Sequence, residues 1–248
     1  MKVTPINTHK IMPNQDKDLF LILDKYVTQL EEDTVLAVTS KIVAICEGRF
    51  IEMEKADKRK LIFEEADLVI PPEKNRYNVS LTIKNNLLIA GAGIDESNGN
   101  GYFIFLPKDS QESANKIREY LVNKFKLKNL GVVITDSRTT PLRWGVTGVA
   151  IAYSGFKPLK DYIGHEDLFG RKFKFEKLNL ADCLATTSVL VMGEGSEQTP
   201  LAKIEDVPFL EYQDRNPTQE ELDQLKIDIK DDMYATLLEN APWEKGNG

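Results

Sequence analysis

Asp136, Ser137 and Arg138 follow directly on the apolar run Val132-Val133-Ile134, and Arg143 comes soon after on a Pro-containing loop. A carboxylate, a hydroxyl and two guanidiniums at the mouth of a strand are costly to assemble unless something charged binds there. An acid to hold a metal ion and arginines to hold phosphate or a carboxylate would account for all four. The stretch from Gly91 to Gly101, GAGIDESNGNG, places Asp95, Glu96, Ser97 and Asn98 in a Gly-rich loop between two apolar runs. Its glycines permit positive φ and close approach of a ligand. Carboxylate and amide oxygens there can take a cation. Asn-Gly is also a hairpin signal, which spacing alone favours, and the loop lacks the alternating oxygen ligands of an EF-hand.

Two further places carry polar groups at the end of an apolar run. Thr39-Ser40-Lys41 offers hydroxyl, ammonium and backbone donors to phosphate oxygens, although Ser40 read by itself is first a helix N-cap. Met192-Gly193-Glu194-Gly195-Ser196 interrupts a helical stretch and reads either as a binding loop or as a Gly-rich linker. Other chemistries are poorly supplied. Only His9 and His165 are present, so a His-centred triad has little to draw on, and His165-Glu166-Asp167 reads as a surface loop without metal-ligand spacing. Cys46 and Cys183 are far apart and read as small buried thiols. No GxxxxGK[ST] or strand-to-helix GxGxxG occurs.

The elements that must position these groups follow from periodicity. Leu19, Phe20, Leu23, Tyr26, Val27 and Leu30 mark one face of a helix over 16–30, and Val35 to Val38 reads as a buried strand. The charged stretch 52–78 suggests a solvated helix or two, broken at Pro71-Pro72. VSLTIK and LLIAGAGID flank a turn at Asn85-Asn86. A helix over 107–125 has Ser110 as its candidate cap. Val146 to Tyr153 gives another strand, 180–191 a helix with small residues on one side, and 199–204 a short strand. Leu222, Leu225, Ile229, Met233 and Leu237 recur at helical intervals, predicting one amphipathic helix opened by Asn216-Pro217-Thr218 and closed at Pro242, with a frayed end from Glu244 to Gly248.

At 248 residues the chain can bury one large core or two joined ones. Thirty-nine acidic against 32 basic residues give a formal charge of −7, with no general attraction to nucleic acid. No apolar run approaches the ~20 residues that cross a bilayer, and the N-terminus lacks the apolar core of a signal peptide. A cytoplasmic location is expected, with neither a membrane nor a nucleic-acid partner.

AGIDESN at 92–98, VVITDS at 132–137, VAIAYSGFKPLKDYIG at 149–164, DLFGR at 167–171 and VMGEG at 191–195 occur in an order and at separations that form a pattern. It resembles the γ-glutamyl ligases of coenzyme F420 biosynthesis over 1–205. That resemblance implies an α+β fold with mixed or antiparallel sheets and flanking helices, built as an intertwined homodimer. Residues 1–205 would form the ligase-like domain, as two intimately joined subdomains, and 206–248 a C-terminal extension. It implies a GTP-dependent amide ligase, with ATP as the other candidate nucleotide. Such an enzyme phosphorylates an acceptor carboxylate, and the amine of L-glutamate then displaces the phosphate, with two Mg²⁺ or Mn²⁺ ions per site. Carried over by motif, Asp95, Asp136, Ser137 and Glu194 would be metal ligands. Ser40, Lys41 and Asn98 would meet the nucleotide, as would Met192, Gly193, Gly195, Ser196 and Thr199 of the loop after 191.

The residues agree with such chemistry, because phosphoryl transfer needs charge neutralisation and positioning more than a protein nucleophile. Arg138 and Arg143 are added here as catalytic clamps on phosphate or substrate carboxylate. The chain departs from the family pattern in three places. Ile45 stands where the family has a nucleotide-contacting lysine, with Lys41 as the available substitute. Arg138 to Arg143 reads RTTPLR in place of FGRPWR, and Lys84-Asn85-Asn86 replaces a basic or His-containing approach to AGID. These changes fall around acceptor and nucleotide rather than on the metal acids. The acceptor is therefore expected to be the F420 precursor or, as the alternative, a folate-like pterin glutamate. From other classes, a non-catalytic nucleotide- or metal-binding dimeric module and a flavin or deazaflavin carrier remain open.

Overall fold

The computed structural model describes all residues, 1–248. Strand β1 (Lys2–Ile6) is followed by helix α1 (Leu19–Tyr26), whose N-cap Asp18 accepts from the Phe20 N–H at 2.9 Å. This helix is shorter than the apolar pattern suggested; Val27 and Leu30 continue as a buried loop. Strand β2 (Thr34–Thr39) runs directly into α2 (Ser40–Cys46). The cap of α2 is Thr39, without a side-chain bond, so Ser40 is the first helical residue and not the expected N-cap.

Next come β3 (Phe50–Glu52), α3 (Lys58–Glu65) and β4 (Leu68–Ile70), the last a strand inside what charge alone marked as helix. Strands β5 (Leu81–Lys84) and β6 (Leu87–Ala90) form a hairpin. Its turn residues Asn85 and Asn86 both have positive φ, 50° and 64°, as a two-residue turn matched to strand twist requires. Strand β7 (Tyr102–Ile104) pairs with β3. Helix α4 (Ser110–Phe125) is capped by Asp109, one residue before the expected Ser110. A carboxylate competes well with a hydroxyl for this position.

Strands β8 (Leu130–Thr139) and β9 (Val146–Ser154) form a long antiparallel pair, followed by β10 (Leu159–Asp161), β11 (Lys177–Asn179), α5 (Leu180–Met192) and β12 (Leu201–Glu205). The principal sheet has the order β1-β12-β2-β8-β9, with β2 and β8 parallel and the other pairs antiparallel. The mixed α+β class expected from the sequence is present. Leu36, Val38, Val132 and Ile134 face α1 and α4, while Val35, Ala37 and Val133 face α5. Covering on both faces is why these strands read as unbroken apolar runs.

The C-terminal segment departs from the single helix expected. It contains α6 (Gln219–Asp223), a 3₁₀ turn at Ile229–Asp231 and α7 (Ala235–Glu239). The helical count had run through Asp228 and Asp232. Asp232 instead accepts the Tyr234 N–H at 2.9 Å, the local bond with which an aspartate competes against helix. The end is docked, not frayed: β13 (Glu244–Lys245) pairs with β4, and Asn247 and Gly248 donate to Phe63 and Ala66 carbonyls. Leu222 and Leu225 pack on the α5 side of the large sheet, so the segment reaches from one sheet to the other. Cys183 is exposed and Cys46 half-buried, so neither is the fully buried thiol expected.

Helix α5 lies so close to β9 that a Cβ at Gly148 would sit 2.4 Å from the Ala185 carbonyl oxygen. Gly148→Ala is expected to lower stability by ~1–3 kcal/mol through this overpacking. The readout is a lower urea midpoint at unchanged slope; an unchanged midpoint would show that the contact yields freely.

Candidate active site

The parallel pairing of β2 with β8 sets Thr39 opposite Thr135. β2 ends there, so Ser40-Lys41, which open α2, and Asp136-Ser137, which continue β8, lie side by side at one end of the parallel pair. Past that point β8 pairs only with β9, and an extra residue, Ile151, is accommodated between the pairs Ile134↔Ala152 and Thr135↔Ala150. A bulge of this kind bends the strand and re-aims side chains beside it.

The 91–101 loop is folded back hard. Gly93 has φ +73°, and a Cβ there would overlap the Leu106 side chain at 2.6 Å. Asp95 and Ile104 exchange backbone hydrogen bonds of 2.9 and 2.8 Å, so the segment is a closed loop as its Asn-Gly pairs suggested. It also delivers side chains to the cavity. The Asp95 carboxylate accepts from the Ser97 N–H at 2.7 Å and pairs with Lys41 Nζ at 2.7 Å. Lys41 Nζ donates further to the Ser97 carbonyl oxygen at 2.9 Å.

The third contribution follows α5. Gly193, with φ +78°, ends the helix, and Glu194 then accepts from Ser137 Oγ at 2.5 Å. Asn98 Nδ2 donates to the Gly195 carbonyl oxygen at 2.8 Å, joining the second and third segments. Thr199 Oγ1 donates back to the Met192 carbonyl at 2.5 Å and fixes the loop's return.

These segments line one cavity of about 920 Å³. On its wall lie Ser40, Lys41, Asp95, Asn98, Asp136, Ser137, Arg138, Met192, Gly193, Glu194, Gly195, Ser196 and Thr199. Arg143 is not brought there: it is exposed on the turn between β8 and β9, because that hairpin carries it out into solvent. Sequence reasoning missed the segment Thr8 to Met12, which forms a further wall. It is tied to the α5 loop by the Thr8 N–H donating to the Gln198 carbonyl at 2.9 Å. His9 is held by Asp16 and Tyr26, each 2.8 Å from a ring nitrogen. The segment has no periodicity, and its only signal was two titratable residues, His9 and Lys10, between prolines. Ile45 is buried at 2% exposure and also contributes to the wall.

Charge is unevenly settled in the cavity. Burial works to raise the Asp95 carboxyl, but the Lys41 hydrogen bond and charge, with the Ser97 N–H, outweigh it and hold it below its ordinary value. Burial pushes the Asp136 carboxyl up to about 7; the Ser137 N–H and the Lys41 charge oppose the rise, and the negative charges of Asp95 and Glu194 add to it. No three Asp, Glu, His or Cys side chains converge tightly enough to hold a metal ion as the chain stands, since Lys41 occupies Asp95 and Ser137 occupies Glu194. The donor set is nonetheless all oxygen, the chemistry of Mg²⁺ and Mn²⁺. The unrelieved charge at Asp136 is what a divalent cation would neutralise, so the residues fit such an ion.

Comparison with known proteins places this site in a family. Residues 5–206 match the model of the F420-0:gamma-glutamyl ligases, and the chain belongs to that family. Among its relatives is a coenzyme F420:L-glutamate ligase of Methanococcus maripaludis, 35% identical over 79% of this chain and 78% of that protein. Proteins of the same name from Methanopyrus kandleri and Methanocaldococcus jannaschii are 34% and 35% identical, over 69% and 79% of this chain and 74% and 79% of their own lengths.

With a folded pKa of about 7 against an ordinary 3.8, Asp136 takes up a proton on folding between those values. Stability contributed by this group is therefore present below pH 3.8 and lost as pH rises through 7. In metal-free buffer Asp136→Asn is expected to be more stable than the parent chain above pH 7, by on the order of 2–4 kcal/mol, and equal to it near pH 4. Adding Mn²⁺ should raise the melting temperature of the parent and not of the variant. Identical curves for the two proteins at pH 8, with and without Mn²⁺, would remove Asp136 from the acid cluster.

Proposed function

We propose that this chain is a nucleotide- and divalent-metal-dependent γ-glutamyl ligase that joins L-glutamate to F420-0. One observation carries the reading: acids from three distant parts of the chain, Asp95, Asp136 and Glu194, line a single cavity with Lys41. The names of the relatives supply the substrates. The phosphate donor is GTP, with ATP as the alternative, and the acceptor in the parallel alternative is a folate-like pterin glutamate.

Asp95, Asp136, Ser137 and Glu194 would hold Mg²⁺ or Mn²⁺, two ions per site. Bound there, the ions would supply charge neutralisation at the phosphate oxygens. The chain's own groups do the rest. Ser40, Asn98 and the loop from Met192 to Thr199 seat the nucleotide, and Lys41 adds positive charge beside the phosphates. An oxygen of the acceptor carboxylate attacks the terminal phosphorus, the nucleoside diphosphate leaves, and the amine of glutamate then attacks the acyl carbon, loses a proton and expels phosphate.

A homodimer is part of the reading. Leu142 and Trp144 on the β8–β9 turn and Leu168 and Phe169 on the β10–β11 arm are almost wholly exposed. Large apolar side chains on projecting arms are what an interface leaves bare in a single chain. Arg143 lies on the same turn and would act at a site only across such an interface.

A second reading, a module that binds nucleotide without turning it over, draws on Ile45, the apolar wall residue where the family has a lysine. The experiment separates the two. Protein, GTP, Mg²⁺ or Mn²⁺, L-glutamate and F420-0 should give acceptor one glutamyl unit heavier by mass spectrometry. Asp95→Asn should cut that rate by at least ~100-fold, the upper end of the cost of losing even an outer partner of a metal ligand, with its circular dichroism unchanged. Tight GTP binding with no product from F420-0 or a pterin glutamate would favour the module.

A further inference from the structure

Arg138 lies on the cavity wall and bonds to none of Asp95, Asp136 and Glu194. Its register partner on β9 is Thr147, whereas that of Asp136 is Val149, so Arg138 stands farther out along the hairpin. It makes one hydrogen bond to protein, from Nη2 to Asp182 Oδ2 at 3.3 Å. Its Nε is buried and donates to nothing. A guanidinium carries five N–H donors and accepts nothing, so most of its donors await an oxygen that the chain does not provide.

Asp182 is fixed on several sides. Its Oδ1 accepts the Ala150 N–H at 3.0 Å, beside the bulge at Ile151, and its Oδ2 accepts from Asn179 Nδ2 at 3.1 Å. Its own N–H donates to Asn179 Oδ1 at 3.0 Å, the N-cap bond of α5. The carboxylate thus ties the first turn of α5 to the bulged strand and offers Arg138 one fixed anchor.

We propose that Arg138 is the receptor for a substrate carboxylate, on L-glutamate or on the acceptor, and that Asp182 is the positioning residue that aligns it. A planar guanidinium held at one end presents a parallel pair of donors matched to a carboxylate. Asp182 stands in the first turn of α5 and the nucleotide loop follows the last turn of the same helix, roughly 15 Å farther along it, so the anchored guanidinium is assigned to a carboxylate rather than to the phosphates. The identity of the substrates rests on the ligase reading above; the receptor does not.

The test measures KM and kcat for GTP, L-glutamate and F420-0 with Arg138→Met, Asp182→Asn and the double variant. Arg138→Met is expected to raise KM for one carboxylate substrate about ten- to hundredfold, the worth of hydrogen bonds to a charged group, with KM for GTP within about twofold. A rise for L-glutamate assigns the receptor to glutamate, and a rise for F420-0 assigns it to the acceptor. Asp182→Asn should move the same KM less, and the double variant should be no worse than Arg138→Met, because a residue acting through another adds nothing once that other is gone. Unchanged KM values in Arg138→Met, or a double variant much worse than either single one, would overturn the proposal. Calorimetry with L-glutamate and F420-0 separates it from the ligase reading. Binding lost in Arg138→Met sustains the receptor even where no amide forms, and binding retained there refutes it even where amide does form.

Discussion

The cavity depends on a single long-range constraint, the parallel pairing of β2 with β8. Neighbouring strands lie about 4.8 Å apart, so where β2 ends its next residues lie beside those that continue β8. Here those residues are Ser40-Lys41 and Asp136-Ser137. A parallel pair cannot be joined by a tight turn and needs a long crossover. This chain spends residues 40–129 on that crossover, and within it builds β4, β5 and β6, three strands of the small four-stranded sheet, and the loop bearing Asp95. The connection that makes the pairing possible is also the one that returns an acid to its open end. Extra length in such a connection costs little, because loop-closure entropy grows only with the logarithm of length.

Within the cavity the negative charges are not treated alike. Lys41 sits on Asp95 and keeps it ionised, Glu194 takes a hydroxyl from Ser137, and Asp136 is left with one backbone donor. An ammonium in contact with one acid beside an unrelieved second acid is a site balanced against its own repulsion, with capacity left for an incoming cation. The cost is local and falls on Asp136, while the core beneath it is conventional apolar packing on both faces of the sheet.

Much of this was legible in the sequence where the signal is local. The strand before Asp136, the turn at Asn85-Asn86 and the polar loops at 95 and 194 follow from apolar runs ended by turn residues. The motifs then grouped acids that spacing could not join, because their meeting depends on sheet order. What failed was also local. Ser40 and Ser110 looked like caps, yet Thr39 and Asp109 take those places. Periodicity carried the last helix through Asp232, whose carboxylate accepts the N–H of Tyr234 instead. The wall from Thr8 to Met12 has no pattern at all; its position comes from being hydrogen-bonded to a loop almost two hundred residues away. Arg143 failed for a different reason, since nearness in sequence to Asp136 does not survive the length of the hairpin.

The bond from Asn98 to the Gly195 carbonyl also bears on how the molecule ages. Asn98 precedes Gly99, and an asparagine followed by glycine is chemically labile, its side-chain amide lost as the backbone nitrogen closes on it. Asparagine is counted among the thermolabile residues for such reasons. The aspartate left behind accepts hydrogen bonds but, once ionised, donates none. A carboxylate would then face a carbonyl, the latch between the Asp95 loop and the Glu194 loop would open, and stored protein would drift in charge at the mouth of its own cavity.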